Sequence, residues 1–504
     1  MAQKLWVLVV VLSLMAGGTA AAQDARAILQ AASTAIGAGN VKSIQYSGTG
    51  WNAAVGQSFS PNEDWPRFDI TSYTRTIDYD ARSSREDLTR RQGNNPPQGG
   101  GGTPLQGDQR QVTLVSGNYA WNVAGETATP QAAAAELRQL DIWLSPHGFV
   151  KAAMAANNAT AASMMLGGSK VTIVTFTALG KYRVNGTINS QNLVERVQTW
   201  VPNPVFGDMV YEHRYTEYKD FNGVKFPTVL HSHQGDPSQN PGHNWMEVRV
   251  TTAQPNPTAT ALNVPENVRA ATIAPVRAES QRLANGVWLI AGGSHNSMAV
   301  EFKDFVAVVE APQDEARSLA VIAEVQKLVP SKPIQYVINT HHHFDHSGGL
   351  RTYVAQGVTV VTHQQNREFY ERVLFHPGQR TLQPDLLSMR YPWFAGNRVP
   401  PIETVNQKYV LSDGARTLDI YPVQGLAHNS NMLLVYLPTE KILVNADLYG
   451  PPAANAPAPA PNANMRSLRQ NIQRLKLDVA QHVPIHGAPG PNDQFMRIVG
   501  TGSN

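Results

Sequence analysis

The 504-residue chain contains no cysteine. It therefore cannot form a disulfide bond, carry a lipid on a cysteine or bind a metal through a thiolate. A chain of this length can build a large hydrophobic core, so it does not need cross-links to fold. Any metal-binding or catalytic chemistry must instead use nitrogen and oxygen atoms.

A strong excess of charge of one sign is also missing. Lys and Arg together number 41 and Asp and Glu 38, which gives a formal net charge of +3. No long basic run occurs, and this argues against a nucleic-acid partner. A hydrophobic content of 42% with 16% charged residues is typical of a folded globular protein. The length predicts two domains, and the composition leaves the oligomeric state open.

Long apolar runs are absent beyond the N-terminus. Residues 1–22 contain Lys4, an apolar run over residues 5–15, and small residues at positions 20–22. This is the layout of a secretory signal peptide, and the apolar run is too short to span a membrane well. We therefore expect cleavage before Gln23, a secreted or periplasmic location, and no transmembrane segment in the mature chain. An uncleaved anchor is the alternative.

Residues 23–265 have the pattern of an antiparallel β-rich (α+β) domain. Polar and apolar residues alternate in RFDITSYTRTIDYDARSSREDLTR (67–90), as expected for half-buried strands. A helix is predicted over residues 24–38, and a glycine- and proline-rich stretch at 92–107 reads as a loop with no means of packing. The opening helix, the segment SIQYSGTG and the later strand KFPTVL resemble the LolA-like lipoprotein carriers, which implies a curved half-barrel.

Two histidines of this region, His231 and His233, fall on the same face of one predicted strand. A second metal site is one interpretation. The other is that they are exposed strand histidines, since spacing places no third ligand beside them.

Strands and helices alternate in residues 278–504, which predicts a layered α/β domain. The segment DEARSLAVIAEVQKLV has helical periodicity. It places Leu319, Ile322, Val325 and Val329 on one face.

The stretch NTHHHFDHSGG (339–349) follows the apolar strand IQYVIN. It contains His341, His343, Asp345 and His346, side chains that are costly to bury without partners. Functional groups gather on loops at strand ends. We expect His341 and His343 to project together and Asp345 and His346 to turn toward the next helix, so that two metal ions could share the stretch. A histidine-rich surface tract and a degenerate site without metal are the alternatives.

Three later residues also follow apolar strands. They are His428 in YPVQGLAHNSN, Asp447 in KILVNADLYG and His486 in VPIHGAPG. Each is a potential metal ligand at a strand end, in separate elements that a fold could bring together.

These motifs resemble the metallo-β-lactamase superfamily, which implies an αββα sandwich with a dinuclear metal site at one edge. The resemblance implies two Zn²⁺ ions, with Mn or Fe as alternatives. It assigns His341, His343 and His428 to the first zinc and Asp345, His346 and His486 to the second, with Asp447 bridging both. His342 and Phe344 should point away, and Ala446 stands where glycine often precedes the bridging aspartate.

Together with the expected signal peptide, the same resemblance predicts an exported zinc-dependent hydrolase acting on a small molecule. A metal-bridging hydroxide would attack an ester, lactone, lactam or thioester, while Asp345 orients the nucleophile and receives its proton. Aspartate at position 447 resembles the glyoxalase II, lactonase and phosphodiesterase-like branches more than the true β-lactamases. The alternative is a periplasmic carrier or accessory protein whose N-terminal domain binds an apolar ligand and whose metal site is structural or vestigial.

Several neighbouring residues have two open interpretations. Thr340 and Ser347 either support the ligands or cap the loop. Tyr449 either donates a hydroxyl to the substrate or is a rim aromatic. His295 is expected at the floor of the site. We expect the aromatic-rich segment 363–405 to form an apolar wall over the metal edge, and the proline-rich segment 450–464 to lie beside the site.

Overall fold

The computed structural model describes residues 25–93, 98–236, 244–258, 261–376, 380–391, 401–452 and 456–500. The predicted signal peptide and its cleavage site lie outside these ranges. Within them, no helix combines the length and apolar character needed to cross a bilayer.

The N-terminal part of the chain forms a thirteen-stranded sheet in the order β6-β5-β4-β3-β2-β1-β13-β12-β11-β10-β9-β8-β7. Every pairing in it is antiparallel. The strands are β1 (Ser43–Ala53), β2 (Arg67–Asp78), β3 (Ser83–Gln92), β4 (Gln109–Ser116), β5 (Tyr119–Ala124), β6 (Thr127–Pro130), β7 (Thr160–Leu166), β8 (Ser169–Ala178), β9 (Tyr182–Ile188), β10 (Val194–Asn203), β11 (Gly207–Phe221), β12 (Val224–Gln234) and β13 (Asn244–Pro255).

Helices cover one face of this sheet. They are α1 (Ala25–Ile36), α2 (Ala135–Leu144) and α3 (Pro146–Ala155), with short 3₁₀ turns at Ala38–Asn40 and Ala132–Ala134, and α4 (Glu266–Arg269) follows the sheet. Helix α3 begins where Ser145 accepts a hydrogen bond from the Gly148 amide at 3.2 Å and Pro146 occupies its first turn. Leu29, Ile36 and Phe149 then pack into a core with inward-facing strand residues such as Val184.

The C-terminal part forms two sheets. The first has the order β14-β15-β16-β17-β18-β19-β20, and its strands β17 to β20 run parallel. It comprises β14 (Glu279–Ala284), β15 (Val287–Ala291), β16 (Ser297–Glu301), β17 (Val306–Val309), β18 (Ile334–Ile338), β19 (Thr359–His363) and β20 (Ile402–Val405). The second has the order β21-β22-β23-β24-β25-β26. It comprises β21 (Tyr409–Ser412), β22 (Thr417–Pro422), β23 (Leu433–Leu437), β24 (Ile442–Ala446), β25 (Gln481–Pro484) and β26 (Gly490–Pro491).

The C-terminal helices complete a layered sandwich. They are α5 (Glu315–Leu328), α6 (Phe344–Ser347), α7 (Leu350–Ala355), α8 (Arg367–Phe369), α9 (Leu386–Arg390), α10 (Ala463–Leu475) and α11 (Asn492–Gly500), with a 3₁₀ turn at Gln364–Asn366 and a π turn at Tyr370–Leu374. Side chains of both sheets meet in one apolar cluster, to which α10 and α11 contribute. A second cluster joins the outer face of the first sheet to α5 and α7.

The predicted fold class, an antiparallel β-rich region followed by an αββα sandwich, is confirmed. One detail of the α5 prediction is wrong, because Leu319 is 39% exposed while Val321 faces the core. Strand β13 ends at Pro255 and β14 begins at Glu279. The predicted domain limits, 23–265 and 278–504, stay a prediction.

Candidate metal centre

The predicted ligand stretch leaves the carboxyl end of β18 and runs into the short helix α6. The side chains of His341, His343 and His346 are completely buried there. Burying three imidazoles in one loop is costly unless each ring nitrogen has a partner. The partners of these nitrogens therefore indicate what the loop binds.

One group of side chains gathers around the first two histidines. His341, His343, His428 and Asp447 each offer one ligand atom, and these atoms lie within 4.8 Å of one another. His341 Nε2 is 3.0 Å from His343 Nδ1, and His428 Nε2 is 3.1 Å from Asp447 Oδ2. Such spacings bring the four atoms close enough to surround a single ion.

A second group lies beside the first. His295, Asp345, His346 and His486 offer atoms that again lie within 4.8 Å of one another. His346 Nε2 is 3.2 Å from His486 Nε2, and His295 Nε2 is 3.2 Å from Asp345 Oδ2. His295, expected only at the floor of the site, is thus part of this group.

Asp447 joins the two groups through its two oxygens. Its Oδ1 lies 3.1 Å from His346 Nε2 and 3.4 Å from His486 Nε2. Its Oδ2 lies 3.1 Å from His428 Nε2 and 3.8 Å from His341 Nε2. Each carboxylate oxygen therefore faces a different histidine group, which is the geometry required of a bridging ligand.

The structure brings all seven predicted ligands together, and their chemistry fits divalent metals. The set is made of imidazole nitrogens and carboxylate oxygens, which suit Zn, Mn or Fe. His428 Nε2 and Asp447 Oδ1 are buried with no hydrogen bond of normal geometry, although each lies close to other ligand atoms. Metal coordination would satisfy both atoms. Ligation by these residues itself stays a prediction.

Most of the site has the protonation state that metal binding requires. Burial lowers the pKa of His341 and of His343 well below the ordinary value, so both rings are neutral. Burial tends to raise the pKa of Asp447, but His346 and His428 hold it well below its ordinary value. Burial tends to lower the pKa of His346, but the carboxylates of Asp447 and Asp345 outweigh this effect and raise it. Neutral imidazoles and ionised carboxylates are the forms that bind metals.

Glu310 contacts the predicted ligand His346 on the ring nitrogen that faces away from the other ligands, and the sequence did not predict this role. Its buried carboxylate accepts hydrogen bonds from His346 Nδ1 at 2.9 Å, from Asn339 Nδ2 at 3.1 Å and from the Thr340 hydroxyl. A carboxylate on the far nitrogen of a ligating histidine fixes its tautomer and orientation. The signal was present in the sequence, because Glu310 follows the apolar strand β17 just as the ligands follow theirs.

Thr340 and Ser347 have different roles. The Thr340 hydroxyl lies 3.0 Å from His341 Nδ1 and so helps to hold a predicted ligand. The Ser347 hydroxyl donates to the carbonyls of His342 and His343 at 3.1 and 3.0 Å, which caps the loop. Ala446 adopts φ 46°, a left-handed conformation in which glycine is favoured.

The expectation for Tyr449 is wrong, and that of an apolar wall fails at Phe369 and Phe375, while residues 377–379 and 392–400 of the expected wall lie outside the described residues. Tyr449 is 1% exposed, and its ring packs 4.8 Å from Phe495, centroid to centroid, in the core. It neither reaches a substrate nor forms a rim. Phe369 and Phe375, expected in an apolar wall, are also buried in a core cluster. Burial offers these rings more apolar contact than an edge position would.

A cleft of about 990 Å³ opens over the ligand groups. Its lining residues are the predicted ligands Asp345, His428, Asp447 and His486 together with Gln57, residues 101–104, Gln106, Ala446, Gly450, residues 460–464 and Arg466. The segment around 460–464 thus lies beside the site, as expected. The facing wall comes from the N-terminal sheet, and no described residue of 363–405 lines this cleft.

Comparison with known proteins adds three findings. The model of the metallo-β-lactamase superfamily matches residues 290–479. The alpha subunit of 2,4-dinitroanisole O-demethylase from Nocardioides sp. (strain JS1661) is 27% identical over 202 residues, covering 40% of this chain and 55% of that protein. The match thus spans about half the length of this curated relative.

Solved metallo-β-lactamases also align with the chain. The enzyme from Pontibacter korlensis is 18% identical with a TM-score of 0.34, covering 45% of this chain and 100% of that one. FIM-1 from Pseudomonas aeruginosa, in its mono-zinc form, is 20% identical with a TM-score of 0.32, covering 44% of this chain and 92% of that one.

The segment matched by the family model contains every converging ligand except His486, which follows it by a few residues. The sandwich and the loop after β18 agree with this match, and residues 290–479 have the sequence pattern of the metallo-β-lactamase superfamily.

Proposed function

We propose that this protein is an exported, zinc-dependent hydrolase that cleaves an ester, lactone, lactam or thioester bond of a small molecule. The observation that carries the proposal is the position of Asp447, whose two oxygens each face a separate group of histidines. A structural metal site would be closed on all sides, whereas this one opens into the cleft.

Bound metal ions would supply Lewis acidity and lower the pKa of a shared water toward neutrality. The chain's own residues then orient the reaction. About a third of the Asp345 side chain is exposed in the cleft. Burial tends to raise the pKa of Asp345, but His346 and the hydrogen bond from His295 lower it, so the carboxylate is ionised. It is therefore placed to orient the nucleophilic water and to receive its proton.

The size and lining of the cleft support a small-molecule substrate. A volume of about 990 Å³ is at the upper end of the range of ligand sites, roughly 300–1,000 Å³. Its polar groups away from the ligands include Gln106, Asn464 and Arg466. These groups offer hydrogen bonds and one positive charge to a polar substrate.

Cleavage of an aryl methyl ether is a second candidate. It is supported by the relative from Nocardioides, which is named a 2,4-dinitroanisole O-demethylase subunit. The same ligand set could serve it, because an attack by water on the ring carbon that bears the methoxy group, with cleavage of that carbon–oxygen bond and release of methanol, would also need a bound nucleophile and a proton acceptor.

The carrier hypothesis receives less support from the N-terminal sheet. A cavity between the strands and α2, lined by residues such as Tyr46, Tyr73 and Trp245, holds about 50 Å³. This is room for one or two water molecules rather than for an acyl chain.

The test is metal content and turnover of the full chain. We expect about two zinc ions per chain and hydrolysis of at least one member of a panel of nitrocefin, an acyl-homoserine lactone, a thioester, bis(p-nitrophenyl) phosphate and 2,4-dinitroanisole. His341→Ala and Asp345→Ala should abolish turnover. One metal equivalent or less, with no turnover on the panel, would refute the proposal.

Export has its own test. Protein recovered from the periplasm or the medium should begin at Gln23 by N-terminal sequencing. Full-length protein retained in the cytoplasm would contradict this part of the proposal.

A further inference from the structure

Two loops of the N-terminal sheet reach the metal centre. One, residues 54–66, joins β1 to β2, and the other, described over residues 98–108, precedes β4. Backbone hydrogen bonds fix them to the loops that carry the predicted ligands. Phe344 N donates to Gly56 O at 3.2 Å, Ser430 N to Phe59 O at 2.8 Å and Gly99 N to Ala427 O at 2.9 Å.

Gln57, in the first of these loops, holds the carboxylate of Asp345. Its Nε2 donates to Asp345 Oδ1 at 2.7 Å, and its Oε1 accepts a hydrogen bond from Gly101 N at 2.9 Å. Because both ends of the amide are engaged, it cannot flip without losing a bond. Asp345 Oδ2 lies on the other side, 3.2 Å from His295 Nε2 and 3.7 and 3.8 Å from the Nε2 atoms of His346 and His486. Gln57 thus determines which oxygen of Asp345 points at the predicted metal.

Ser58, the residue after Gln57, fixes the orientation of His343. The Ser58 carbonyl lies 2.9 Å from His343 Nε2, and a carbonyl can only accept. His343 Nε2 therefore carries the hydrogen, and its Nδ1 presents a lone pair toward His341 at 3.0 Å. A backbone group of the N-terminal sheet thus selects the tautomer that a metal requires.

The residues between the ligands face the N-terminal sheet. His342 Nε2 lies 3.1 Å from the Ser58 hydroxyl, and the ring of Phe344 packs edge-on 5.1 Å from that of Phe206. A Cβ at Gly56, where φ is +75°, would lie 2.3 Å from the Phe344 ring. Glycine is therefore required at position 56 for this approach.

The glycine-rich stretch of the second loop has a similar role. A Cβ at Gly100 would lie 2.7 Å from His343 Cε1 and 2.0 Å from Gln57 Oε1. The described part of this loop therefore packs on the site through its backbone, contrary to the expectation that it could not pack.

We propose that Gln57 is a positioning residue for Asp345 and that the N-terminal sheet, through Gln57 and the Ser58 carbonyl, completes the metal centre of the C-terminal domain. This inference rests on the proposed function at the same site. It assigns the N-terminal region a part in building the active site, because the bonds it makes reach two predicted ligands on opposite groups.

The test compares Gln57→Ala and Gln57→Glu with wild type in the full chain. Gln57→Glu keeps the size of the side chain but turns an oxygen toward the Asp345 carboxylate. The control is Gln191→Ala, on the exposed turn between β9 and β10. Zinc affinity is measured by competition with a chelator, and kcat and KM are measured on a panel substrate. The thermal midpoint of the metal-free protein is measured as well.

We expect Gln57→Ala to weaken one of the two zinc equivalents by about tenfold and to lower kcat by a similar factor. KM and the thermal midpoint of the metal-free protein should stay near the wild-type values. Gln57→Glu should lose more zinc affinity and more kcat than Gln57→Ala, and Gln191→Ala should match wild type in every measurement. Wild-type zinc affinity and kcat in both Gln57 variants would overturn the inference, as would a rise in KM alone. Absence of a second zinc equivalent in wild type would instead refute the proposed function.

Discussion

The same spacing, histidine-x-histidine, occurs in both regions of the molecule with different results. His231 and His233 lie on β12 of the N-terminal sheet, and their Nε2 atoms are 3.0 Å apart. His341 and His343 lie in the loop after β18, and their facing nitrogens are also 3.0 Å apart. Spacing alone therefore brings two imidazoles together equally well in a strand and in a loop.

The two pairs differ in what surrounds them. In the N-terminal sheet, His231 Nδ1 bonds Glu247 and His233 Nδ1 bonds Glu212, both at 3.1 Å. The third polar group near the pair is an amide, since Asn244 Oδ1 lies 3.1 Å from His231 Nε2. The side chains come from neighbouring strands within one sheet face.

In the C-terminal sandwich, further ligands arrive from separate strand ends. His428, Asp447 and His486 follow β22, β24 and β25, and two sheets meet there. Within the described ranges, this centre alone has sets of three or more histidine and carboxylate side chains whose ligand atoms all lie within 4.8 Å of one another. The convergence of distant strand ends, rather than the short motif, therefore indicates a metal site.

The largest expected effect comes from removing the residue that joins the two groups. Asp447→Ala should abolish binding of both metals, because each carboxylate oxygen faces one histidine group. Turnover should fall by roughly a thousandfold or more, since metal catalysis contributes several kcal/mol. Metal analysis and initial rates check this. Asp478→Ala, which removes an exposed partner of Lys441, should behave as wild type. Retention of both metals in Asp447→Ala would disprove bridging.

In the N-terminal region, we expect His147 to affect the pH dependence of the free energy of unfolding rather than turnover. Burial lowers the pKa of His147 from 6.5 to about 4. Between these values the unfolded chain binds a proton that the folded chain does not, so stability falls as the pH falls. The loss should reach roughly 3 kcal/mol by pH 4. His147→Gln keeps a donor for the Ile36 carbonyl, which lies 3.1 Å from His147 Nε2, and should reduce this pH dependence.

Urea unfolding of the metal-free chain at pH 7 and pH 4.5 measures the difference. His376→Gln, at an exposed position, is the control and should keep the wild-type pH dependence. An equal pH dependence in His147→Gln and wild type would show that His147 is not responsible.

The sequence was sufficient for residues that a local pattern marks. His428, Asp447 and His486 each follow an apolar strand, and the structure brings them together as expected. Gln57 could not be found this way, because nothing in its neighbourhood links it to a residue 288 positions away. Tyr449 was misjudged because its nearness to Asp447 in sequence does not reveal that its ring turns into the core.

A smaller effect is expected from the support behind the ligands. Glu310→Gln leaves one acceptor but places an amide donor among groups that already donate, namely His346 Nδ1, Asn339 Nδ2 and the Thr340 hydroxyl. We expect about a tenfold loss of zinc affinity in the His346 group, with a smaller loss in the other group. Chelator competition measures both. Glu324→Gln, which removes the charge on α5 that pairs with Lys327 at 3.0 Å, is the control. An equal loss in both variants would contradict the role of Glu310.

The smallest effect is expected from the N-terminal pair itself. The double variant His231→Ala/His233→Ala should keep the wild-type zinc content and change turnover by less than about twofold, because among the described residues neither histidine belongs to a group of convergent ligand atoms. Glu212 and Glu247 keep Arg214 and Arg249 as partners at 2.7 and 2.9 Å, so no carboxylate is left unpaired. His341→Ala, which removes the equivalent histidine of the other pair, should lose zinc in the same assay. If the double variant also lost one zinc equivalent, two histidines with carboxylate partners would suffice to bind metal on a sheet face, and convergence of strand ends would not be the deciding feature.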